Sequence, residues 1–439
     1  GAAAGETALF INLEEEERDT RANAASLGFD LAGVEMLDLS PSSEFFARDQ
    51  SYSVFGADEV EGDDLTERIA DRVAELGPDR VFVDPVTQFR YLTSDDYQFR
   101  KQVISFMRFL KERDATVLFT SQQSDDTPDD DLQFLADGIV ELDQTDHGRT
   151  VSVPKFRGSD RQGGTHALRI DGEGLSVYPE LVPRDPDATF TAEPLSSGVD
   201  GLDDLLGGGI ERGTITVISG PTGVGKTTTG TLFMQEAASR GDRSVVFMFE
   251  EATRTFRHRS AALDIPVDEM VADGSLSIRE VEPLDFSPEQ FAAAVREEVE
   301  ERDARVVMID GIAGYKLSLR GAEDALVRKL HALGRYLKSA GVTVVLVDEL
   351  DHVTGEFRAT NAGISYLADN VLFLRHVEMD SQLRKTVGVL KKRVGDFERS
   401  LREFELTSDG VVVGDPLRGA QGILSGSPRF DREGGIDDQ

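Results

Sequence analysis

The chain has 439 residues and carries 47 basic against 82 acidic side chains, a formal net charge of −35. The length predicts two to three domains with cores of their own, and the acidic balance makes nucleic acid an unlikely partner without excluding it. The absence of cysteine excludes disulfides, thiolate metal sites and cysteine nucleophiles. With no membrane-span pattern and no signal peptide, we expect a cytoplasmic protein without a membrane partner.

In chain order, the first feature is a long internal repeat. The apolar run 8–13 with Glu14-Glu15 aligns with the run 244–249 and Glu250-Glu251 at an offset of 236. Three more matches keep the same order: 80–84 with 306–310, 134–137 with 366–369, and 155–157 with 391–393. The repeat predicts two tandem copies of one domain, 1–182 and 195–416, joined by a linker at 183–194 and followed by a disordered acidic tail at 417–439.

Within each copy, short apolar runs alternate with stretches of helical period. The runs 81–83, 116–119, 306–309 and 342–347 are strand-like, and 98–112 and 323–339 have helical spacing. This alternation predicts an α/β fold, with a mainly parallel sheet flanked by helices in each copy.

The clearest motif lies in the second copy. The sequence GPTGVGKT at 220–227 fits G-x-x-x-x-G-K-[ST] and stands between a strand-like and a helix-like stretch. Glycines let backbone N–H groups close around phosphates, Lys226 can reach the β and γ oxygens, and Thr227 can coordinate Mg²⁺. The alternative is a glycine-rich turn without a ligand. The predicted nucleotide-binding residues are Gly220, Pro221, Thr222, Gly223, Val224, Gly225, Lys226, Thr227 and Thr228, and the predicted ligands are ATP and Mg²⁺.

Carboxylates close two other apolar runs. Asp310 is placed to hold the Mg²⁺ shell through water together with Thr227. Glu250 and Glu251 are placed to orient or deprotonate an attacking water. A solvated acidic turn would look similar, but the recurrence of the pair at 14–15 favours a function.

The segment 198–210 (GVDGLDDLLGGGI) is followed by Gly213 and by the phosphate-binding motif at 220–227, or P-loop. This order resembles the opening of RecA-superfamily domains of the KaiC type. The paired glutamates, the late K-x-R element, and the segments 155–160 and 90–101 resemble the same family, so the resemblance covers both copies. It implies a double-domain, RecA-like P-loop ATPase that forms a two-tiered hexamer with ATP between neighbouring subunits. Ten lysines against 37 arginines and the spread of acid resemble proteins of salt-loving archaea, so a haloarchaeal type is expected.

The resemblance also implies roles for single residues. Glu250 and Glu251 match the catalytic carboxylates, and Lys391 and Arg393 match finger residues that enter the neighbouring subunit's nucleotide site. Cations aimed at a γ-phosphate stabilise the charge that develops there. A K-x-R element can also be an ordinary exposed ion-pair face. By repetition, the first copy offers Glu14, Glu15, Lys155 and Arg157 for the same roles.

A phosphorylation site is the next implied feature. Members of the family autophosphorylate an adjacent Ser-Thr pair in the second domain, and here the pair falls on Ser365-Tyr366. Ser365 is therefore a candidate phosphoacceptor and Thr360 matches a further hydroxyl position, but the missing threonine argues against a two-site cycle.

The first copy lacks its own P-loop in this sequence. The offset of 236 places that loop upstream of residue 1, so either the domain has decayed or the sequence starts after the loop. Glu14, Glu15, Asp84, Lys155 and Arg157 would serve a bound nucleotide, and their retention favours a late start, as does the absence of an initial methionine. We expect a chain extended upstream to carry a second G-x-x-x-x-G-K-[ST].

Three functions fit these features. The leading one is an ATP-hydrolysing hexameric regulator with possible serine/threonine autokinase activity and a signalling protein as partner. The second is a RecA/RadA-like, DNA-dependent ATPase of recombination or repair, for which the arginine cluster at 254–259 is the only local candidate surface. The third is a scaffold in which nucleotide only stabilises a ring.

Overall fold

A computed structural model describes residues 1–40, 58–92, 96–122, 130–145, 148–172, 174–181, 193–319, 325–350, 364–379, 381–417, 420–421 and 429–430. The chain divides into two compact units, the first comprising 1–143 and 149–177, and the second 144–148 and 178–439. Positions 183–192 of the predicted linker, most of the predicted tail and Thr360 lie outside the described residues.

The first unit contains two separate four-stranded sheets. The first sheet is parallel, in the order β2-β1-β3-β4. The second sheet has the order β5-β6-β7-β8. The elements are β1 (Ala8–Asn12), α1 (Glu17–Ser26), β2 (Val34–Asp38), α2 (Asp58–Leu76), β3 (Arg80–Asp84), α3 (Asp96–Lys111), β4 (Thr116–Phe119), α4 (Asp130–Leu135), β5 (Gly138–Thr145), β6 (Gly148–Phe156), β7 (Thr165–Asp171) and β8 (Gly174–Tyr178), with 3₁₀ turns at Ala2–Ala4 and Val86–Leu92.

The second unit is built on one nine-stranded sheet, in the order β13-β12-β14-β15-β11-β16-β17-β18-β19. Its elements are β9 (Pro194–Leu195), α5 (Asp200–Leu206), β10 (Ile210–Glu211), β11 (Ile215–Gly220), α6 (Lys226–Ser239), β12 (Arg243–Met248), α7 (Thr253–Ala261), α8 (Val267–Ala272), β13 (Leu276–Glu280), α9 (Pro288–Glu300), β14 (Ala304–Asp310), α10 (Ile312–Leu317), α11 (Ala325–Ser339), β15 (Thr343–Glu349), a 3₁₀ turn at Ile364–Tyr366, β16 (Asn370–Met379), β17 (Gln382–Lys392), β18 (Arg402–Thr407) and β19 (Gly410–Pro416). In the region of the predicted tail, β20 (Ala420–Gln421) pairs with β21 (Arg429–Phe430).

The centre of this large sheet is β11, every residue of which is buried. It pairs in parallel with β15 on one side and β16 on the other. Ile218 packs into a core on the side of α6, whereas Val217 packs into a core on the side of α9 and α11. A strand buried on both faces is apolar throughout, as this one is. The predicted α/β class, with a mainly parallel sheet flanked by helices, is confirmed.

The first unit has an open apolar groove of about 630 Å³ along one face of its parallel sheet. Phe10, Phe82 and Leu118 line it, with Phe29 beside them. In the second unit, α6 packs on the corresponding strands β12, β14 and β15. Among the described residues, no strand of the first unit joins β4 to β5 as β11 joins β15 to β16.

In the part of the chain that the structure describes, no helix combines the length and the apolar character needed to cross a membrane.

Candidate nucleotide site

The P-loop joins the carboxyl end of β11 to the first turn of α6. Gly223 and Gly225 have φ of 74° and 117°, which side-chain-bearing residues rarely adopt. A Cβ at Gly220 would lie 2.5 Å from the Leu374 carbonyl oxygen, and one at Gly225 would lie 2.9 Å from the Phe404 ring. These glycines therefore keep the loop close to the sheet, with the amino end of a helix of 14 residues at its exit, where an anion is stabilised.

Lys226 is buried at this turn and already contacts an anionic group. Its Nζ donates to the Pro221 carbonyl at 2.9 Å and lies 3.6 Å from the Glu349 carboxylate. Burial lowers the pKa of Lys226, while Glu349 and Asp310 oppose that shift. The Thr222 hydroxyl also donates to Glu349. Phosphate oxygens would suit the same lysine and hydroxyl, so the residues fit a nucleotide.

Sequence reasoning missed Glu349. It ends β15 at the edge of the sheet where Asp310 ends β14 and Gly220 ends β11. The signal was present, because Asp348-Glu349 closes the apolar run 342–347 just as Asp310 closes its own run.

Asp310 lies beside the P-loop threonine, as predicted for a Mg²⁺ site. The Thr227 hydroxyl donates to its Oδ1 at 3.1 Å. Burial raises the pKa of Asp310 to about 6, although the Thr227 hydroxyl and Arg259 oppose the rise. A hydroxyl and a carboxylate are hard oxygen ligands, so this pair fits Mg²⁺.

Glu250 and Glu251 complete a carboxylate cluster around Asp310, since the charges of both raise its pKa. Glu250 lies over Gly311, where a Cβ would come within 2.9 Å of its Oε1. Glu251 forms an ion pair with Arg259 at 2.9 Å. Burial raises the pKa of Glu251, although Arg259 opposes this rise. Sequence reasoning did not assign Arg259 to this cluster, although it lies eight positions after Glu251, because the segment 254–259 was considered only as a surface for DNA.

Val224 and Thr228, the remaining predicted P-loop contacts, are buried. Val224 packs in the core beside α6. Their side chains therefore support the loop, and only their backbone N–H groups are available to bind phosphates.

Both copies of the repeat match a single family of known proteins. The family described as ATPase, KaiC, matches residues 1–182 and 195–418. The chain belongs to the KaiC ATPase family. The circadian clock oscillator protein KaiC of Acaryochloris marina is 26% identical over 433 residues, which cover 96% of this chain and 81% of that protein. The circadian clock protein KaiC3 of Synechocystis sp. is 25% identical, covering 100% of this chain and 88% of that protein. KaiC of Synechococcus elongatus is 25% identical, covering 96% and 82%.

The two finger residues predicted from the KaiC resemblance lie away from their own P-loop. Lys391 on β17 pairs with Val371 on β16, which is in turn the neighbour of Val217 on β11. The P-loop begins three residues further along β11, at Gly220, which is ~10 Å along a strand. Lys391 Nζ instead donates to the carbonyls of Ser365 and Ala368, at 3.0 and 2.6 Å.

Arg393 also points back into this region, with its guanidinium donating to Asp369 at 3.1 Å and to the Tyr366 carbonyl at 3.0 Å. Ser365 lies in the same 3₁₀ turn and is half-buried. The structure therefore brings Ser365, Lys391 and Arg393 together, and does not bring them to the P-loop of the same chain.

The candidate residues of the first unit occupy matching places. Glu14 and Glu15 follow β1, with both backbone amides donating to the Asn12 side chain. Lys155 donates to the Gln133 carbonyl at 2.7 Å, and Arg157 donates to Asp137 at 3.0 Å. The described part of this unit contains no phosphate-binding loop beside them.

The arginine cluster at 254–259 forms part of α7, and its side chains are partly engaged. Arg257 pairs with Asp268 at 2.6 Å and Arg259 pairs with Glu251. Two of its three arginines are thus held within the fold, which weakens its case as a surface for DNA.

Proposed function

We propose that this chain is a regulatory KaiC-type ATPase that binds Mg²⁺ and ATP at its second unit and hydrolyses the nucleotide. The observation that carries the proposal is the convergence of Lys226, Thr227, Asp310 and the pair Glu250-Glu251 at one end of β11. Membership of a family of ATPases supports the same reading.

Each side chain has a defined task in this proposal. Lys226 and the loop amides bind phosphate oxygens, and Thr227 with Asp310 holds Mg²⁺, the aspartate through water. When bound, Mg²⁺ neutralises charge on the phosphates. Glu250 orients the attacking water, and Glu251, whose pKa is raised by burial, accepts a proton at its carboxylate. Arg259 fixes the orientation of Glu251 through their ion pair.

The working form that we propose is a two-tiered homohexamer in which Lys391 and Arg393 serve the site of a neighbouring subunit. Their place at the far end of the strands from their own P-loop supports this arrangement. We propose that the protein acts in the cytoplasm of a salt-adapted cell on a signalling partner. Size-exclusion chromatography with light scattering at molar salt, with and without ATP, tests the assembly, and a monomer under both conditions would contradict it.

The decisive test of hydrolysis is the double variant Glu250→Gln/Glu251→Gln. We expect phosphate release to fall ~100-fold or more, because the general base and its partner are lost, while ATP binding persists. Glu112→Gln/Glu301→Gln, which removes two exposed carboxylates elsewhere, is the matched control and should keep the wild-type rate. Equal, near-zero rates for wild type and variant would favour a scaffold whose nucleotide only stabilises a ring.

A second activity, autophosphorylation at Ser365, is favoured by its contact with the finger. The Ser365 carbonyl accepts from Lys391, so its hydroxyl lies in the region that we propose to face a neighbour's γ-phosphate. Intact mass after incubation with ATP should show one added phosphate that Ser365→Ala removes; an unchanged mass would count against the kinase. DNA-dependent filaments in place of hexamers would instead support the recombinase alternative.

A further inference from the structure

One charged cluster recurs in both units around the finger residues. In the second unit, the Asp369 carboxylate accepts from Lys338 Nζ at 2.8 and 3.1 Å and from the Arg393 guanidinium at 3.1 Å. The backbone N–H of Arg393 also donates to the Asp369 carbonyl at 3.0 Å. Side chain and backbone of Arg393 are thus both held by one aspartate.

The first unit repeats the arrangement. Asp137 accepts from Arg157 at 3.0 Å and from Lys111 at 3.4 Å, and the Arg157 N–H donates to the Asp137 carbonyl at 2.8 Å. Lys111 ends α3 and Lys338 stands one residue before the end of α11, the helix in the same place of the second unit. The two clusters therefore share an aspartate, an arginine and a helix lysine, and the same backbone hydrogen bond from the arginine to the aspartate.

Stability alone does not account for this recurrence. Asp137, Arg157 and Lys111 are exposed, and exposed ion pairs contribute little to folding. Asp369 is 4% exposed and also accepts from the backbone N–H of Ile215 at 3.0 Å, a contact to β11 that belongs to the second unit. The parts common to both units are the aspartate, the arginine and the helix lysine.

The charges of the aspartate and the arginine explain why the cluster also needs the helix lysine. A carboxylate that fixes an arginine also cancels the charge that the arginine would offer to a phosphate. The helix lysine offsets the carboxylate, so the group keeps one net positive charge beside the cation of Lys391. Preorganised cations of this kind stabilise charge that develops in a transition state.

We propose that Asp369 and Lys338 are positioning residues for the Lys391–Arg393 finger, and that Asp137 and Lys111 do the same for Lys155 and Arg157. Asp369 fixes the orientation of the Arg393 guanidinium. Lys338 offsets the charge of Asp369, so that the finger presents a net positive charge to the γ-phosphate of ATP bound to a neighbouring subunit. The inference rests on the proposed trans-acting finger.

Three substitutions on one helix test the role of the lysine. Lys338→Met should lower kcat for ATP hydrolysis ~3- to 10-fold and leave KM within about twofold, because the finger acts in the transition state. Lys338→Arg should restore the rate. Lys329→Met, which removes an equally charged residue of α11 paired with Glu180 and Glu289, should keep the wild-type kcat. A Lys338→Met enzyme with wild-type kcat would overturn the inference.

Mixed hexamers test the aspartate. Asp369→Asn retains an oxygen that can accept from Ile215 but releases Arg393, and we expect kcat to fall ~10-fold or more. Mixing these chains with Glu250→Gln/Glu251→Gln chains should raise activity above the sum of the two alone, because intact fingers then serve intact sites. No gain on mixing would overturn the proposal, and Lys338→Met covers the case in which Asp369→Asn fails to fold.

The two levels of failure are distinguishable. A wild-type chain that releases no phosphate from ATP defeats the proposed function itself. A wild-type chain that does, together with Lys338→Met and Asp369→Asn variants of unchanged kcat, defeats only the positioning role.

Discussion

The two units carry the same strand-end carboxylates and the same finger clusters, yet among the described residues only the second unit has one continuous sheet. In the second unit β11 joins the parallel strands to β16 and the strands beyond it. In the first unit β4 and β5 lie in separate sheets, and Leu118, Val140 and Leu142 along them are exposed. Their counterparts Val345, Leu372 and Leu374 are all fully buried.

In the second unit, one strand and one helix contribute both to the hydrophobic core and to the candidate nucleotide site. β11 and α6 cover the sheet with apolar side chains such as Phe233 and Met234. The same elements bring Lys226 and Thr227 to Asp310. In the first unit Asp84 instead accepts from Thr120, at the end of β4. Asp310 therefore lies beside a P-loop hydroxyl, whereas Asp84 lies beside the hydroxyl of Thr120.

The largest contrast that we predict follows from one substitution made in both units. Val345→Glu places a charge in a fully buried strand position and should cost about 4 kcal/mol or more, enough to unfold the second unit. Leu118→Glu, at the matching position that is 64% exposed, should change the free energy of unfolding by less than about 0.5 kcal/mol.

Urea unfolding measures both variants, and ANS fluorescence adds a check on the groove. Because Leu118 lines the groove, Leu118→Glu should reduce ANS binding while stability persists. Equal destabilisation by the two substitutions would mean that the groove is covered, and the contrast between the units would fail.

A second contrast concerns the middle residue of each K-x-R element. The Lys392 side chain is 2% exposed, pairs with Glu211 at 2.8 Å and donates to the Leu206 and Gly209 carbonyls. Lys392→Met would leave Glu211 buried without its cation and should cost about 3 kcal/mol. Its counterpart Phe156 is 54% exposed, so Phe156→Ala should cost well under 1 kcal/mol.

Thermal unfolding of these two variants and of Lys392→Met/Glu211→Gln checks the interpretation. The double variant should recover part of the loss, since the buried charge is then neutral. If it is no more stable than Lys392→Met alone, the ion pair is not the reason for the burial of Lys392.

Much of this organisation was predictable from the sequence, because periodicity and motif spacing are local. Continuous apolar runs indicated parallel strands, and G-x-x-x-x-G-K-T located the P-loop between β11 and α6. Residues that act through long-range contacts were less predictable. Lys338 meets Asp369 from a position 31 residues earlier in the chain, and Lys111 meets Asp137 from 26 residues earlier. Nothing in the local pattern marks these partners.

The smallest contrast that we predict concerns the nucleotide-free chain and its strand-end aspartates. Burial raises the pKa of Asp310 from its ordinary value of 3.8 to about 6, so the folded state holds its proton more tightly than the unfolded state. Stability contributed at this position therefore falls as pH rises from about 4 to 6 and stays low above that range. Asp310→Asn, which keeps an acceptor for Thr227, should stabilise the chain by about 3 kcal/mol at pH 7.5 and by about half as much at pH 5. Asp84→Asn is the matched change in the first unit and should alter stability by less than about 1 kcal/mol. Thermal melts of both variants at the two pH values decide the matter, and a gain for Asp310→Asn that grew toward pH 5 would contradict the assigned cause.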